Sequence, residues 1–346
     1  MKWIVTGGAG FIGCNAVQRL LALGHTVVVV DNLARRGTQA NLEWLRTQGL
    51  FEFKQLDIRD AAALQSLLKE HADADVILHL AGQVAVTTSV ANPREDFEIN
   101  ALGTFNVLEA ARLCGGQPIV LYASTNKVYG EMEHVGTTLS NGRYQYINLP
   151  GGVAESEPLD FHSPYGCSKG AADQYVRDYA RIYGLRTVVL RQSCIYGCRQ
   201  FGVEDQGWVA WFTIAALLGR PITIYGDGRQ VRDVLFAEDL VESYLQAVAN
   251  IGKVSGQVYN IGGGPTSQLS LLELLTLLEN SLGHSIPVKY ADWRPGDQKV
   301  FIADVSKAKR EFGWQPTTDI KCGLEKLVNW VKQNQTTLRQ VLGIAS

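Results

Sequence analysis

An α/β fold, with a doubly wound parallel sheet and a smaller C-terminal α/β substrate-binding domain, is predicted by three features of the sequence. Six short runs, KWIVT, TVVVVD, FEFKQLD, DVILHLA, PIVLYAS and RTVVLRQ, are rich in Val, Ile, Leu and Phe, as strands buried on both faces must be. Stretches near 11–23, 60–70, 94–113 and 164–183 show helical spacing, and such strand–helix alternation builds a parallel sheet covered on both sides. The first run leads directly into a glycine-rich turn. After residue 194 the text becomes irregular and rich in Gly, Trp and Arg. Strand-like VLFAE and VYNIGG follow, then helices near 269–281 and 322–333. The expected division is interleaved: residues 1–193 with about 234–266 form one domain, and about 194–233 with 267–346 form the other.

At 346 residues, 46% hydrophobic and with a formal net charge of -2, the chain has the composition of an ordinary globular protein with a large core. No positive field recommends a nucleic-acid or membrane partner. Glycines and Asn15 break the apolar N-terminal run, and no stretch approaches the ~20 apolar residues of a membrane span. A cytoplasmic protein is expected, in which the sequon Asn334-Gln335-Thr336 carries no sugar. The cysteines at 14, 114, 167, 194, 198 and 322 lack paired metal-ligand spacing; they are expected to be free thiols, with no metal bound. His79, inside DVILHLA, is expected to be a satisfied core residue.

The turn Thr6-Gly7-Gly8-Ala9-Gly10-Phe11-Ile12-Gly13 has glycines at 7, 10 and 13 between a strand and a helix. Glycine there permits a tight turn and lets a pyrophosphate approach backbone N–H groups at the helix start, the arrangement of a Rossmann dinucleotide site. Asp31 closes the second strand, placed to accept hydrogen bonds from an adenosine ribose and to repel a 2′-phosphate. Asn32 follows it, and Arg35 and Arg36 would instead invite that phosphate. Asp31 is nearer the strand end, which favours NAD over NADP. Asp57 and Ile58 follow the third strand, where adenine is met. Leu80, Ala81, Gly82 and Gln83 follow the fourth, along the middle of the cofactor. All these segments fall at the carboxyl ends of strands, where open α/β sheets bind ligands.

Tyr165 and Lys169 open a helix after Ser163-Pro164 and share one face at i and i+4. A free phenol titrates near pH ~10, and a cation ~4 Å away at an effective dielectric of ~20 contributes roughly 4 kcal/mol, about three pKa units. The expectation is that Lys169, helped by an oxidised nicotinamide, makes Tyr165 a base near neutral pH.

TGGAGFIG, HLAGQ, Asn100 in EINALGTFNVLEA, YASTNKVYG (122–130), SPYGCSKGAADQY and FGWQP resemble the extended short-chain dehydrogenase/reductase family along essentially the whole chain. The resemblance implies tightly held NAD, with Ser124 and Asn100 at its site, and a C-terminal nucleotide-sugar site. It implies a triad of Thr125, Tyr165 and Lys169, with Thr125 on the reacting hydroxyl and Lys169 also on the nicotinamide ribose. A homodimer or homotetramer is implied as well. Dehydratases of the family carry Asp-Glu after the triad Thr; Asn126 and Lys127 stand there instead, and neither suits acid–base elimination of water. GQVAVTTSVANPREDFEIN, DFHSPYGCSKGAADQY, DQGWV and RQVRDVLFAEDL further resemble the family's epimerases that invert C2 of a CDP-linked 3,6-dideoxyhexose, making a CDP-sugar the implied substrate. Arg232 maps onto the family's phosphate-binding Arg, with Arg199 and Arg294 as second candidates. Thr125, Asn126, Gln206 and Trp208 are further substrate candidates. Cys194 stands where many relatives have a sugar- or diphosphate-contacting Asn. The rival readings are a C4 epimerase of a UDP-hexose and a non-catalytic NAD(H)-binding redox sensor. The polar, Gly-rich segment 131–162 reads equally as a lid over the sugar or as a surface or subunit-contact loop.

Overall fold

Alternation along the first strand decides how the sheet is covered. In β1 (Lys2–Thr6), Trp3 and Val5 enter one apolar cluster and Ile4 enters another, so each face needs its own layer of helices. In the computed structural model, residues 1–294 and 297–344 are described. The strands after β1 are β2 (Thr26–Asp31), β3 (Glu52–Gln55), β4 (Val76–His79), β5 (Ile119–Thr125), β6 (Arg186–Gln192) and β7 (Gln257–Ile261). They form a seven-stranded sheet in the order β3-β2-β1-β4-β5-β6-β7, and every neighbouring pair is parallel. The order reverses between β1 and β4, which opens a crevice at the strands' carboxyl ends. All six expected strands are present, and VYNIGG supplies the seventh.

VLFAE has a different fate. The strand Val231–Phe236 pairs with Cys194–Tyr196, Gln268–Ser270 and Val300–Phe301 in a separate sheet. On that ground we move the proposed domain boundary from residue 234 to the end of this strand. A third apolar cluster packs here, on the helices Trp208–Leu217, Leu271–Leu282 and Ile320–Gln333. Ser270 begins the middle one with a reciprocal capping box to Glu273.

The helix expected over 94–113 is interrupted. Pro93–Phe97 is α-helical, Glu98–Leu102 is a π-helical turn, and Gly103–Leu113 resumes the α-helix. Such turns gather at functional sites, and this one carries Asn100. The segment 131–162 is not a free lid. It contains a hairpin, Thr137–Ser140 with Arg143–Tyr146, turned by Asn141 and Gly142 at φ 52 and 78, the left-handed pair of a type I′ turn. The Tyr144 hydroxyl donates to Asp227 and that of Tyr146 to the Val300 carbonyl, tying the hairpin to the C-terminal region. No helix among the described residues is long and apolar enough to cross a membrane.

Candidate active site

Close backbone approach dictates the glycine turn. Gly7 has φ +70, and a Cβ there would lie 2.7 Å from the Ala81 nitrogen; at Gly13 it would lie 2.1 Å from the Gly7 carbonyl oxygen. The helix Phe11–Ala22 starts at Gly10 without a side-chain cap or an acidic residue in its first turn, which suits a pyrophosphate. Gly13→Ala forces the turn apart. Overpacking of this kind costs about 1–3 kcal/mol, so we expect a lower Tm and weaker NAD binding in a fluorescence titration.

Asp31 is buried at the end of β2 and does more than await a ribose: its carboxylate accepts from the Ala9 N–H at 3.1 Å and the Leu33 N–H at 2.8 Å, bracing the turn. Burial pushes its carboxyl upward, and these bonds oppose that. Asn32 donates to Asp57 at 2.9 Å, and Arg59 forks onto the same carboxylate, holding it down to about 2. Ile58 departs from expectation. Its side chain is core, facing Gly103, where a Cβ would lie 2.6 Å from it.

The 80–83 loop is held by Asn100. The Gln83 N–H donates to Asn100 Oδ1 at 2.9 Å, and Asn100 Nδ2 donates to the Gln83 carbonyl at 3.0 Å. Asn100 thus pins Gly82 and Gln83. The Ser124 hydroxyl donates to Asp173 at 2.8 Å. His79 is satisfied, between Thr6 at 2.7 Å and Thr104 at 3.0 Å, and burial pushes it down to about 3.

Thr125, Tyr165 and Lys169 come together and are only 6%, 8% and 6% exposed. Thr125 Oγ1 accepts the Lys127 N–H at 3.2 Å, capping the turn Asn126–Tyr129, and its side chain lies close enough to Tyr165 to influence the phenol. The Tyr165 N–H donates to Ser89 Oγ at 3.2 Å. The charge logic differs from the expectation. Burial pushes the phenol up to about 12; Thr125 and the Arg35 guanidinium pull it down, and Asp96 opposes them. Lys169 has partners of its own. Its ammonium donates to the Ala123 carbonyl at 2.6 Å and sits 4.3 Å from the centre of the Tyr122 ring. Spacing at i and i+4 puts the two side chains on one face, but the long lysine stem carries its charge to a carbonyl that the buried ammonium needs. The charge of Arg35, expected from the sequence at the cofactor, reaches Tyr165 as well.

Arg232 donates to the Val231 carbonyl at 2.9 Å and lies 3.9 Å from Asp297. It acts electrostatically on Lys127 and Cys194. Burial, then the Arg232 charge, push Lys127 down to about 8, against Asp297 and Glu131. Asn126 accepts from Thr125 Oγ1 at 3.4 Å. Burial raises the Cys194 thiol to about 12, so it is a neutral wall, and its sulfur accepts from the Trp208 indole at 3.0 Å. Trp208 is therefore anchored to that wall. Arg294 stacks 3.7 Å above Tyr225 and pairs with Asp205 at 3.1 Å, beside Gln206, which bridges to Val203. Arg199 is not brought to this group: it stacks on Trp44 at 4.1 Å, beside the helix Thr38–Leu45 of the large sheet. Arg232→Gln is expected to raise KM about tenfold or more with a smaller change in kcat, since losing a charge-assisted phosphate contact removes roughly 1.5–3 kcal/mol of binding. Steady-state kinetics read that split.

Sequence reading missed the buried carboxylates Asp96 and Asp173 and their partners Ser168 and Arg191. Their one local signal is spacing: Asp96 lies one helical turn before Asn100, and Asp173 one turn after Lys169.

A sequence model of the NAD dependent epimerase/dehydratase family matches residues 3–262. The chain belongs to this family. NAD is its cofactor, and the glycine turn, the uncapped helix start and buried Asp31 fit that group. Over 335 residues the chain is 47% identical to the CDP-paratose 2-epimerase of Salmonella typhi, covering 95% of this chain and 99% of that protein. It is 35% identical to the UDP-glucose 4-epimerase of Mycolicibacterium smegmatis, over 96% of this chain and 99% of that one. Among solved structures, the dTDP-glucose 4,6-dehydratase of Streptomyces venezuelae with NAD bound superposes at a TM-score of 0.84 with 32% identity, covering 99% of this chain and 100% of that one. Like other members of the family, this chain has the doubly wound sheet and, opposite it, a smaller C-terminal region.

Proposed function

We propose that this epimerase inverts C2 of CDP-paratose, or of a close CDP-linked 3,6-dideoxyhexose, giving the tyvelose epimer. The observation that carries the reading is the Thr125–Tyr165 contact beside buried Lys169, with Asn126 and Lys127 where elimination would need an acid pair. The extent of similarity to a CDP-paratose 2-epimerase supports the choice of sugar and carbon.

Bound NAD supplies the acceptor and later donor of the C2 hydride. The turn at Gly7–Gly13 and Asp31 would hold it, and Lys169 would meet its ribose. Tyr165 takes the proton of the C2 hydroxyl as the 2-keto sugar forms, and Thr125 holds that oxygen. The ketosugar turns over while Arg232 keeps the diphosphate. Tyr165 then returns its proton to the oxygen of the inverted sugar, so protons and electrons balance within one cycle. Arg294 and Gln206 serve the nucleotide end, and Cys194 offers the sugar a neutral surface.

The enzyme acts in the cytoplasm as a homodimer or homotetramer. Exposed Phe97, Phe105 and Leu113 on one helical segment, with Tyr175, Ile182 and Tyr183 on the helix Ser163–Tyr183, support that assembly. Incubation with CDP-paratose, CDP-glucose and UDP-glucose, read by NMR, tests the reading. Inversion at C2 of CDP-paratose is expected; inversion only at C4 of a UDP-hexose sinks it.

A further inference from the structure

Asp96 has no part in the mechanism above, yet it is only 1% exposed. Its Oδ1 accepts from Gln83 Nε2 at 2.9 Å and from Asn100 Nδ2 at 3.1 Å, and its Oδ2 accepts from Ser168 Oγ. All three donors are neutral, so they solvate the carboxylate without cancelling its charge. A buried charge is tolerated only with a counter-charge nearby. Its hydrogen-bonded shell leads to Lys169. Ser168 is the lysine's neighbour in the helix. Gly82 precedes Gln83, and the Cβ position of Gly82 lies 2.9 Å from Asn100 Oδ1 and 3.9 Å from Lys169 Nζ.

Other groups also surround the lysine. Asp173, one turn further along the helix, is forked by Arg191 at 2.9 and 3.0 Å, which leaves the pair near neutrality. From β5 come the Ala123 carbonyl and the Tyr122 ring. From β4 comes His79, kept neutral by burial. Tyr165, on the same helix, is a protonated phenol at rest.

We propose that Asp96 is a positioning residue of this active site: its bonds to Ser168, Gln83 and Asn100 fix the helix and loop that enclose the Lys169 ammonium, and its carboxylate adds to the negative charge that this ammonium meets. The inference rests on the reading of Tyr165 and Lys169 as catalytic. Burial pushes Lys169 down to about 7, with Asp173 and then Asp96 opposing, which is the direction the geometry requires. Removing the Asp96 charge lets the lysine lose its proton at lower pH.

Three full-length variants test this. Asp96→Asn is expected to move the limb of the kcat–pH profile that follows Lys169 about one unit toward acid, about a tenfold loss of proton affinity at Lys169. Asp96→Glu, which keeps the charge, restores the limb. Ser168→Ala lowers kcat but leaves the limb in place. An Asp96→Asn limb that coincides with wild type overturns the proposal, as does a Ser168→Ala limb displaced equally far. In wild type the coupling is read by NMR without any substitution or sugar: the Asp96 ¹³Cγ resonance should move over the pH interval in which Lys169 ¹³Cε titrates. A flat ¹³Cγ trace contradicts it. Because this reading needs no substrate, it decides on Asp96 even if none of the tested sugars is turned over.

Discussion

Tyr165→Phe should lower turnover by roughly a thousandfold, the middle of the range for removing a positioned general base, while leaving NAD affinity close to wild type. Burial raises that phenol, and Thr125 and the Arg35 guanidinium lower it. Its ring and its N–H bond to Ser89 survive the substitution, so the loss should fall on kcat. At rest the burial-raised phenol is protonated, so the rate should climb with pH as the phenolate becomes accessible. Thr125→Val should shift the rising limb to higher pH, because the hydrogen bond that lowers the phenol is gone. Purified variants, NAD titration and a kcat–pH profile check these statements. A Tyr165→Phe enzyme with near-normal turnover would contradict them.

The largest effect on stability is expected from Asp173→Ala. Asp173 and Arg191 are 0% and 2% exposed as an ion pair, and the pair also holds Ser124 and the Tyr129 hydroxyl at 2.8 and 3.1 Å. Tyr129 continues to Asn260 at 2.7 Å, and Asn260 to the Val153 carbonyl at 2.8 Å. One network thus joins the catalytic helix, β5, β6, β7 and the 131–162 segment. Removing the carboxylate strands a buried guanidinium, which costs about 3–5 kcal/mol. Urea denaturation should show a large fall in midpoint. Replacing both partners, Asp173→Leu with Arg191→Met, should recover much of the loss, since two apolar groups of similar volume leave no charge unpaired. If the single and double variants lose equally, packing rather than charge governs the site.

What the sequence made legible was local. Near-continuous Val and Ile runs marked the strands, because parallel strands are apolar on both faces. Gly7 and Gly13 were legible because only glycine fits so close an approach of backbone to backbone. Two kinds of feature escaped. Asp96 meets Ser168 across 72 positions, a pairing that only the tertiary fold creates. Lys169 shows the limit of spacing arguments: periodicity fixes the face it occupies, whereas the torsions of its side chain decide that its charge meets Ala123 and Tyr122. The Asn141-Gly142 turn was legible but hidden by the polar residues around it; Asn-Gly between alternating residues is a strong hairpin signal.

The central claim is that the hydrogen removed from C2 returns to C2 without leaving the pocket. CDP-paratose carrying deuterium at C2 should therefore yield the inverted sugar with deuterium still at C2, in ordinary water and at full conversion. Loss of that label to solvent, or inversion with C2 untouched, would contradict the account.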